Sequence, residues 1–245
     1  MNRMKKEDIG KNVFVYTDGD HSFTTDAILL ADFANVRKRE KLCDFGAGCG
    51  IIPMIFARDE ATNEEITAVE IQEDACEIFK KTLAENHLEE RIKILNFDLK
   101  NIREIFPSPT FDVVTMNPPY CEKDSGKQSE TPGRKIARCE VMCDVFSAAK
   151  SASDVLKFSG RFVVCHRAER LCDVFEAMRR NGIEPKRLRH VINFPGSAPY
   201  LALVEGRKGG KNKLTTEPPL VLYNGDKTPS EEYLRIYSPF FEKDE

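Results

Sequence analysis

Residues 41–58 constrain the fold more than any other stretch. A short apolar strand, Lys41-Leu42-Cys43-Asp44-Phe45, is broken by three glycines in five residues, Gly46-Ala47-Gly48-Cys49-Gly50, and an apolar helix follows over 51–58. Glycine reaches backbone conformations that other residues resist, so this density ends the strand in a tight loop. Strand, glycine loop and helix together open a βαβ unit of the nucleotide-binding kind. The alternation then continues. Strands are expected at 66–70, 91–97, 111–116 and 160–165, and helices at 74–86, 138–156 and 167–181. A short strand at 13–16 and a capped helix at 26–35 come first, and strands at 191–192 and 201–204 come last. That order implies an α/β fold, a mostly parallel sheet with helices on both faces and ligands held beyond the carboxyl ends of the strands.

Those strand ends carry a matched set of side chains. Asp44 precedes the glycine loop, Glu70 closes the second strand 20 residues beyond Gly50, Asp98 follows the third and Asn117 the fourth. The glycines read D-x-G-x-G-x-G, whereas the dinucleotide fingerprint G-x-G-x-x-G needs a glycine at position 51, which is Ile51. A pyrophosphate cradle is disfavoured against a ligand with a ribose and a charged amino-acid end. Asp44 can accept from an ammonium, Glu70 from both ribose hydroxyls and Asp98 from an adenine amino group. S-adenosylmethionine presents all three. Taken singly, each acid reads better as a helix cap or a surface residue, but three at successive strand ends favour a ligand site.

The fourth strand, Phe111 to Met116, runs into Asn117-Pro118-Pro119-Tyr120. Two prolines cannot continue a strand interior, because each lacks a donor, fixes φ and pushes its predecessor out of the α region. The chain must leave the sheet stiff and extended, which places backbone carbonyls, an amide side chain and an aromatic ring together. This acceptor cluster suits a planar amino group, with the Asn117 side-chain oxygen and the Pro118 carbonyl each taking one N–H and Tyr120 stacking on the ring. The plainer alternative is a proline turn that closes a strand. Residues 121–135 are polar and without period, and a loop is expected there.

Charge narrows the partner. The net charge is −3, which argues against a generally basic coat for nucleic acid, yet residues 157–213 hold 13 Lys/Arg against 5 Asp/Glu. Within that segment Arg179, Lys186, Arg187, Arg189, Arg207 and Lys208 are candidate contacts to an RNA backbone, and a solvated charged face is the alternative. The run 206–213 reads as flexible and the residues beyond it as an extended wrap. Eight cysteines form no C-x-x-C pair and show no ligand spacing, so neither a zinc site nor a disulfide framework is expected. The four histidines read as surface or packing residues. No apolar signal region and no run of 18 apolar residues occurs, and a soluble cytoplasmic protein without metal is expected; the sequence does not fix the oligomeric state, of which a monomer is favoured.

The blocks FTTDAILLADFA, DFGAGCGIIPM, AVEIQ, NPPY, VEGRKGG and PPLVLY resemble the tRNA(Val) adenine N6-methyltransferase family over most of the chain. The resemblance implies a Rossmann-like class I methyltransferase with a mostly parallel seven-stranded sheet, acting on tRNA to form N6-methyladenosine beside the anticodon. It implies S-adenosylmethionine as cofactor, held by Asp44, Gly46, Gly48, Gly50, Glu70, Ile71 and Asp98, and a base held by Asn117, Pro118, Pro119 and Tyr120. It also implies that Thr25 and Asp26 help to close a lid over the cofactor. The chain then divides into a lid at 1–40, a methyltransferase domain at 41–206 and a wrap of the same domain at 207–245. Other planar amino groups fit the same acceptor motif: protein glutamine, guanine N2 in RNA, and adenine or cytosine in DNA. A non-catalytic sensor and a dehydrogenase are the alternatives from other classes.

Overall fold

A computed structural model describes residues 4–118 and 145–240. The chain opens with an antiparallel pair, β1 (Lys5–Asp8) and β2 (Phe14–Thr17), and the helix α1 (Thr25–Ala34). The expected alternation follows as β3 (Leu42–Phe45), α2 (Ile51–Arg58), β4 (Ile66–Glu70), α3 (Glu73–Asn86), β5 (Ile92–Asn96) and β6 (Phe111–Met116). Next come α4 (Val145–Val155), β7 (Leu156–Arg167), α5 (Leu171–Arg180), β8 (Ile183–Ile192) and β9 (Leu201–Lys208). Two short strands, β10 (Thr215–Thr216) and β11 (Leu220–Val221), and a helix, α6 (Glu231–Tyr237), complete the described chain. No described helix is long and apolar enough to cross a membrane.

The main sheet has the order β10-β8-β9-β7-β6-β3-β4-β5, with β11 also on β8. Strands β5, β4, β3, β6 and β7 run parallel, and β9 is antiparallel to β7 and β8. From β3 the chain steps outward to β4 and β5, then returns to place β6 on the other side of β3. The carboxyl ends of β3 and β6 therefore flank a topological switch point, where open α/β sheets hold ligands.

The strand period of two divides the core cleanly. Leu42, Ala68, Val113, Val163 and Leu203 face one cluster with α1, α2 and α3. Cys43, Val69, Val114, Phe162 and Val204 face the other with α4 and α5. Helices thus cover both faces, as the alternation implies.

Five expectations are corrected. The described sheet has nine strands rather than seven, because β10 and β11 lie parallel along the outer edge of β8 and satisfy backbone groups that an edge leaves open. Strand β8 spans ten residues instead of the two at 191–192, and the basic run from 206 begins inside β9. The helix expected from 167 is delayed because β7 continues to Arg167 and a 3-10 turn, Ala168–Arg170, intervenes. The extended wrap ends in α6, which Ser230 caps by accepting the N–H of Tyr233 at 3.1 Å. The loop expected at 121–135 and the first residues of the helix expected at 138–156 lie outside the described residues.

Candidate active site

The glycine turn after β3 is held by the neighbouring strand. The N–H groups of Gly46 and Ala47 both donate to the Val69 carbonyl, at 2.8 and 3.1 Å. Gly46 and Gly48 have φ of +66° and +55°, and a Cβ on either would meet nothing within 4 Å, so backbone conformation demands glycine and open space borders the turn. Gly50 differs: its φ is +91° and a Cβ would fall 2.2 Å from the Phe79 ring, so crowding fixes it as well. It sits at the N-cap of α2 and does not line the cleft.

A cleft of about 410 Å³ opens at the carboxyl ends of β3, β4 and β6. It brings together Gly46, Gly48, Glu70, Ile71, Asp98, Asn117 and Pro118, which were separated by up to 72 positions in the sequence. Asp26, in the first turn of α1, joins them. Glu70 is 2 % exposed, and its two oxygens accept the N–H groups of Gly48 and Gln72, each at 2.8 Å. A carboxylate oxygen has more than one lone pair, so the acid can brace the turn and still accept from a ligand. Asp98 caps the following 3-10 turn by accepting from Lys100 N–H through Oδ1 at 2.9 Å. Cap and cleft wall are one residue here.

Two further expected ligand residues stand back from the cleft wall. Asp44 is 1 % exposed; Thr115 donates to its Oδ1 at 2.6 Å, and its buried Oδ2 has no hydrogen-bond partner among the described residues. Burial, only partly offset by that hydrogen bond, pushes its carboxyl up to about 8, and nearby Glu70 adds to the rise. Thr25 accepts the Tyr237 hydroxyl at 3.0 Å and so docks α6. Pro119 and Tyr120 lie outside the described residues.

The segment just before α1 supplies wall residues that the sequence reading passed over: Asp20, His21, Phe23 and Thr24. His21 is buried, its Nε2 lies 3.0 Å from Asp74 Oδ2, and its N–H donates to Asp18 at 2.6 Å. The hydrogen bond from His21 holds the Asp74 carboxyl below the usual carboxylate range. Phe97, the residue before Asp98, adds an aromatic wall. The tight Asp18-Gly19-Asp20-His21 turn was the available signal, but only folding shows which way it faces.

Electrostatics narrow the ligand. Among the described lining residues there is no Lys or Arg, while Asp20, Asp26, Glu70 and Asp98 are all present. Among these described residues a pyrophosphate would meet no cationic partner, whereas a ligand carrying ammonium and sulfonium charges would meet several acids. The open glycine turn and the partnerless Asp44 oxygen fit the same conclusion.

The six basic candidates do not form one free face. Arg187 donates to Glu205 at 2.9 Å and to Glu217 at 2.8 Å and lies 4.3 Å over the Phe33 ring. Arg189 makes a two-pronged pair with Glu232 at 2.8 and 2.7 Å, and Arg179 pairs with Glu184. Lys208 donates to the Leu156 carbonyl at 2.8 Å, just past the end of α4, and Lys186 to the Lys211 carbonyl. Arg207 lies in register with Arg161, four positions down β7 from Cys165, toward the end of the sheet opposite the cleft. Counting charge within 157–213 missed Glu217 and Glu232, which reach these arginines from later in the chain.

The family described as methyltransferase small domain matches residues 10–138. A tRNA1(Val) (adenine(37)-N6)-methyltransferase of Phocaeicola vulgatus is 30% identical over 224 residues, covering 89% of each chain. A protein of the same description from Tolumonas auensis is 27% identical over 240 residues, 91% of this chain and 98% of that one. Among solved structures, one described as a predicted O-methyltransferase from Agrobacterium tumefaciens superposes with a TM-score of 0.69 at 20% identity, covering 89% of this chain and 98% of that chain. At that identity the likeness is one of fold.

Proposed function

The chain belongs to the methyltransferase small domain family, and from that premise we propose that it moves a methyl group from S-adenosylmethionine to the exocyclic N6 of an adenosine in tRNA, 3′ of the anticodon in a valine tRNA. One observation supports this reading above the others. The Asn117-Pro118 acceptor end of β6 opens into the same cleft as the acids at the ends of β4 and β5, with no lining Lys or Arg among the described residues.

When bound, S-adenosylmethionine supplies an electrophilic methyl group. The residues of the chain divide the remaining work. Glu70 and Asp98 would accept from the ribose and adenine of the cofactor, Ile71 and Phe97 would give apolar walls to its ring, and Asp26 would offset positive charge, while Asp44, neutral below about pH 8 in the cofactor-free protein, would add to that only by ionising as the cofactor binds. At the acceptor base, the exocyclic nitrogen is a poor nucleophile because its lone pair is delocalised into the ring. The Asn117 Oδ1 and the Pro118 carbonyl each accept one N–H, which draws the nitrogen toward tetrahedral geometry and frees that pair. Acceptors already in place stabilise the charge that develops on the amino group. Tyr120 is assigned from the sequence to stack on the base. An adenine reaches such a pocket only when unstacked, which an anticodon loop allows more readily than a duplex.

Incubation of the purified protein with S-adenosylmethionine and unmodified bulk tRNA, followed by mass analysis of the nucleosides, tests the assignment. N6-methyladenosine should appear, and should be absent when the valine tRNA lacks the adenosine 3′ of its anticodon. Methylation of a glutamine peptide instead, or equal activity on that altered tRNA, would remove the tRNA assignment.

A further inference from the structure

Cys165 is 0 % exposed in β7, and its Sγ lies 3.0 Å from Asn117 Oδ1. The last registered pair of β6 and β7 is Met116 with Val164, so Asn117 leaves the sheet directly beside Cys165. The side chain belongs to the apolar cluster that includes Val163, Leu201 and Leu203. Little water can compete for a hydrogen bond there, and a polar contact is strengthened by the low local dielectric.

A carboxamide has two ends of nearly equal shape, and shape alone does not decide which end faces a ligand. For the chemistry above the choice is decisive. The oxygen accepts from the substrate amino group, whereas the NH₂ end would oppose it donor to donor. A thiol is a donor with only weak acceptor ability, so its neighbour of choice is the oxygen. The oxygen keeps a second lone pair for the substrate N–H.

We propose that Cys165 is a positioning residue for Asn117, its buried thiol donating to Oδ1 and thereby holding the amide with its oxygen toward the acceptor amino group. This rests on the amino-group methyltransferase reading above. Cys165 is fully buried and does not line the cleft, so its part in the reaction runs through Asn117.

The test compares Cys165→Val, Cys165→Ala and Cys165→Ser in the full chain. Val and Ala remove the donor, and Ser keeps one. Losing a neutral hydrogen bond of this kind should lower kcat by about three- to tenfold in Val and Ala, with KM for tRNA and cofactor affinity within about twofold of wild type. Ser should restore kcat to within about twofold. A packing role alone predicts the opposite pattern, with Val closest to wild type and all three variants ordered by thermal midpoint. Wild-type kcat in Cys165→Val, or a Ser variant as slow as Ala, overturns the proposal. A readout independent of turnover separates this failure from failure of the methyltransferase reading. The S–H stretching band assigned by subtracting the Cys165→Ala infrared spectrum should move to the free-thiol position in Asn117→Leu, and an unmoved band overturns the contact itself.

Discussion

The Glu70 carboxylate accepts the backbone N–H of Gly48 at 2.8 Å, so the acid assigned to the ribose also holds the glycine turn in shape. Its other oxygen does the same for Gln72 at 2.8 Å. Removing the side chain leaves two donors without partners, each costing about 1–3 kcal/mol if water does not replace it. Glu70→Gln should be little better than Glu70→Ala, because the NH₂ end of the new amide must face one of those N–H groups. Both variants are expected to weaken S-adenosylmethionine binding by more than about tenfold and to lower the thermal midpoint. Calorimetry and melting curves check this; a Gln variant with wild-type affinity and midpoint would show that the bracing is unimportant.

Asn117 is placed on the acceptor side of the cleft. Asn117→Ala should keep cofactor affinity and lose methyl transfer by about 10²-fold, the scale of one preorganised polar contact. Single-turnover assays beside cofactor calorimetry make the comparison, and turnover surviving within a factor of a few would end the acceptor-cluster mechanism.

Burial raises the Asp44 carboxyl from 3.8 to about 8, so over that interval the folded protein holds a proton that the unfolded chain releases. The sign follows from linkage: the contribution of Asp44 to the stability of the cofactor-free protein falls as pH rises from about 4 to about 8 and levels off above. Asn at this position cannot ionise. The thermal midpoint of Asp44→Asn should therefore exceed that of the wild type by a margin that widens up to about pH 8 and then stays constant, while its cofactor affinity is lower. A margin that does not change with pH would contradict the assignment.

Arg187 and Arg189 are held by carboxylates within the protein, and the consequence is a stability effect before any effect on RNA. Glu205 is 4 % exposed and already shared with Arg161, so Arg187→Glu puts like charges together in a nearly closed space. Taking about 3 kcal/mol for breaking such a buried pair and roughly 2–4 °C per kcal/mol for a chain of this size, the midpoint should fall by roughly 6–12 °C. Arg189→Glu faces the more exposed Glu232, at 40 % side-chain exposure, and should cost less. Melting curves paired with tRNA-binding titrations distinguish the cases: lost RNA affinity at an unchanged midpoint would return both residues to the RNA surface.

Where local chemistry determines structure, the sequence was a good guide. Strand β4 and helix α2 have the expected bounds because a buried apolar run is stopped by glycine or a polar turn on each side. Strand β6 ends at Met116 because prolines follow. Strand β8 was harder to read. Its residues Glu184-Pro185-Lys186-Arg187-Leu188-Arg189-His190 look like a solvated face until Glu205, Glu217 and Glu232, distant in sequence, are laid beside them. The same limit hid the wall at 20–24, whose polar residues carry no period and owe their place to the route of the chain between β2 and α1. The acids at the strand ends were legible as a set, but the division between the half-buried Asp98 and the sealed Asp44 was not, since depth beneath a turn leaves no mark in composition.

The outer edge of β8 is closed by strands that arrive late in the chain: Thr215 and Thr216 beside Arg187 and Leu188, then Leu220 and Val221 beside Val191 and Ile192. On the ribosome, β8 is synthesised before its cover. Until residues 215–221 follow, that strand presents a row of unpaired amides and carbonyls to any neighbouring nascent chain, the geometry from which edge-to-edge association starts. Translation rate through residues 193–221, and the chaperones that meet the chain there, therefore bear on how much of this protein reaches its native fold, even though none of residues 215–221 lines the cleft.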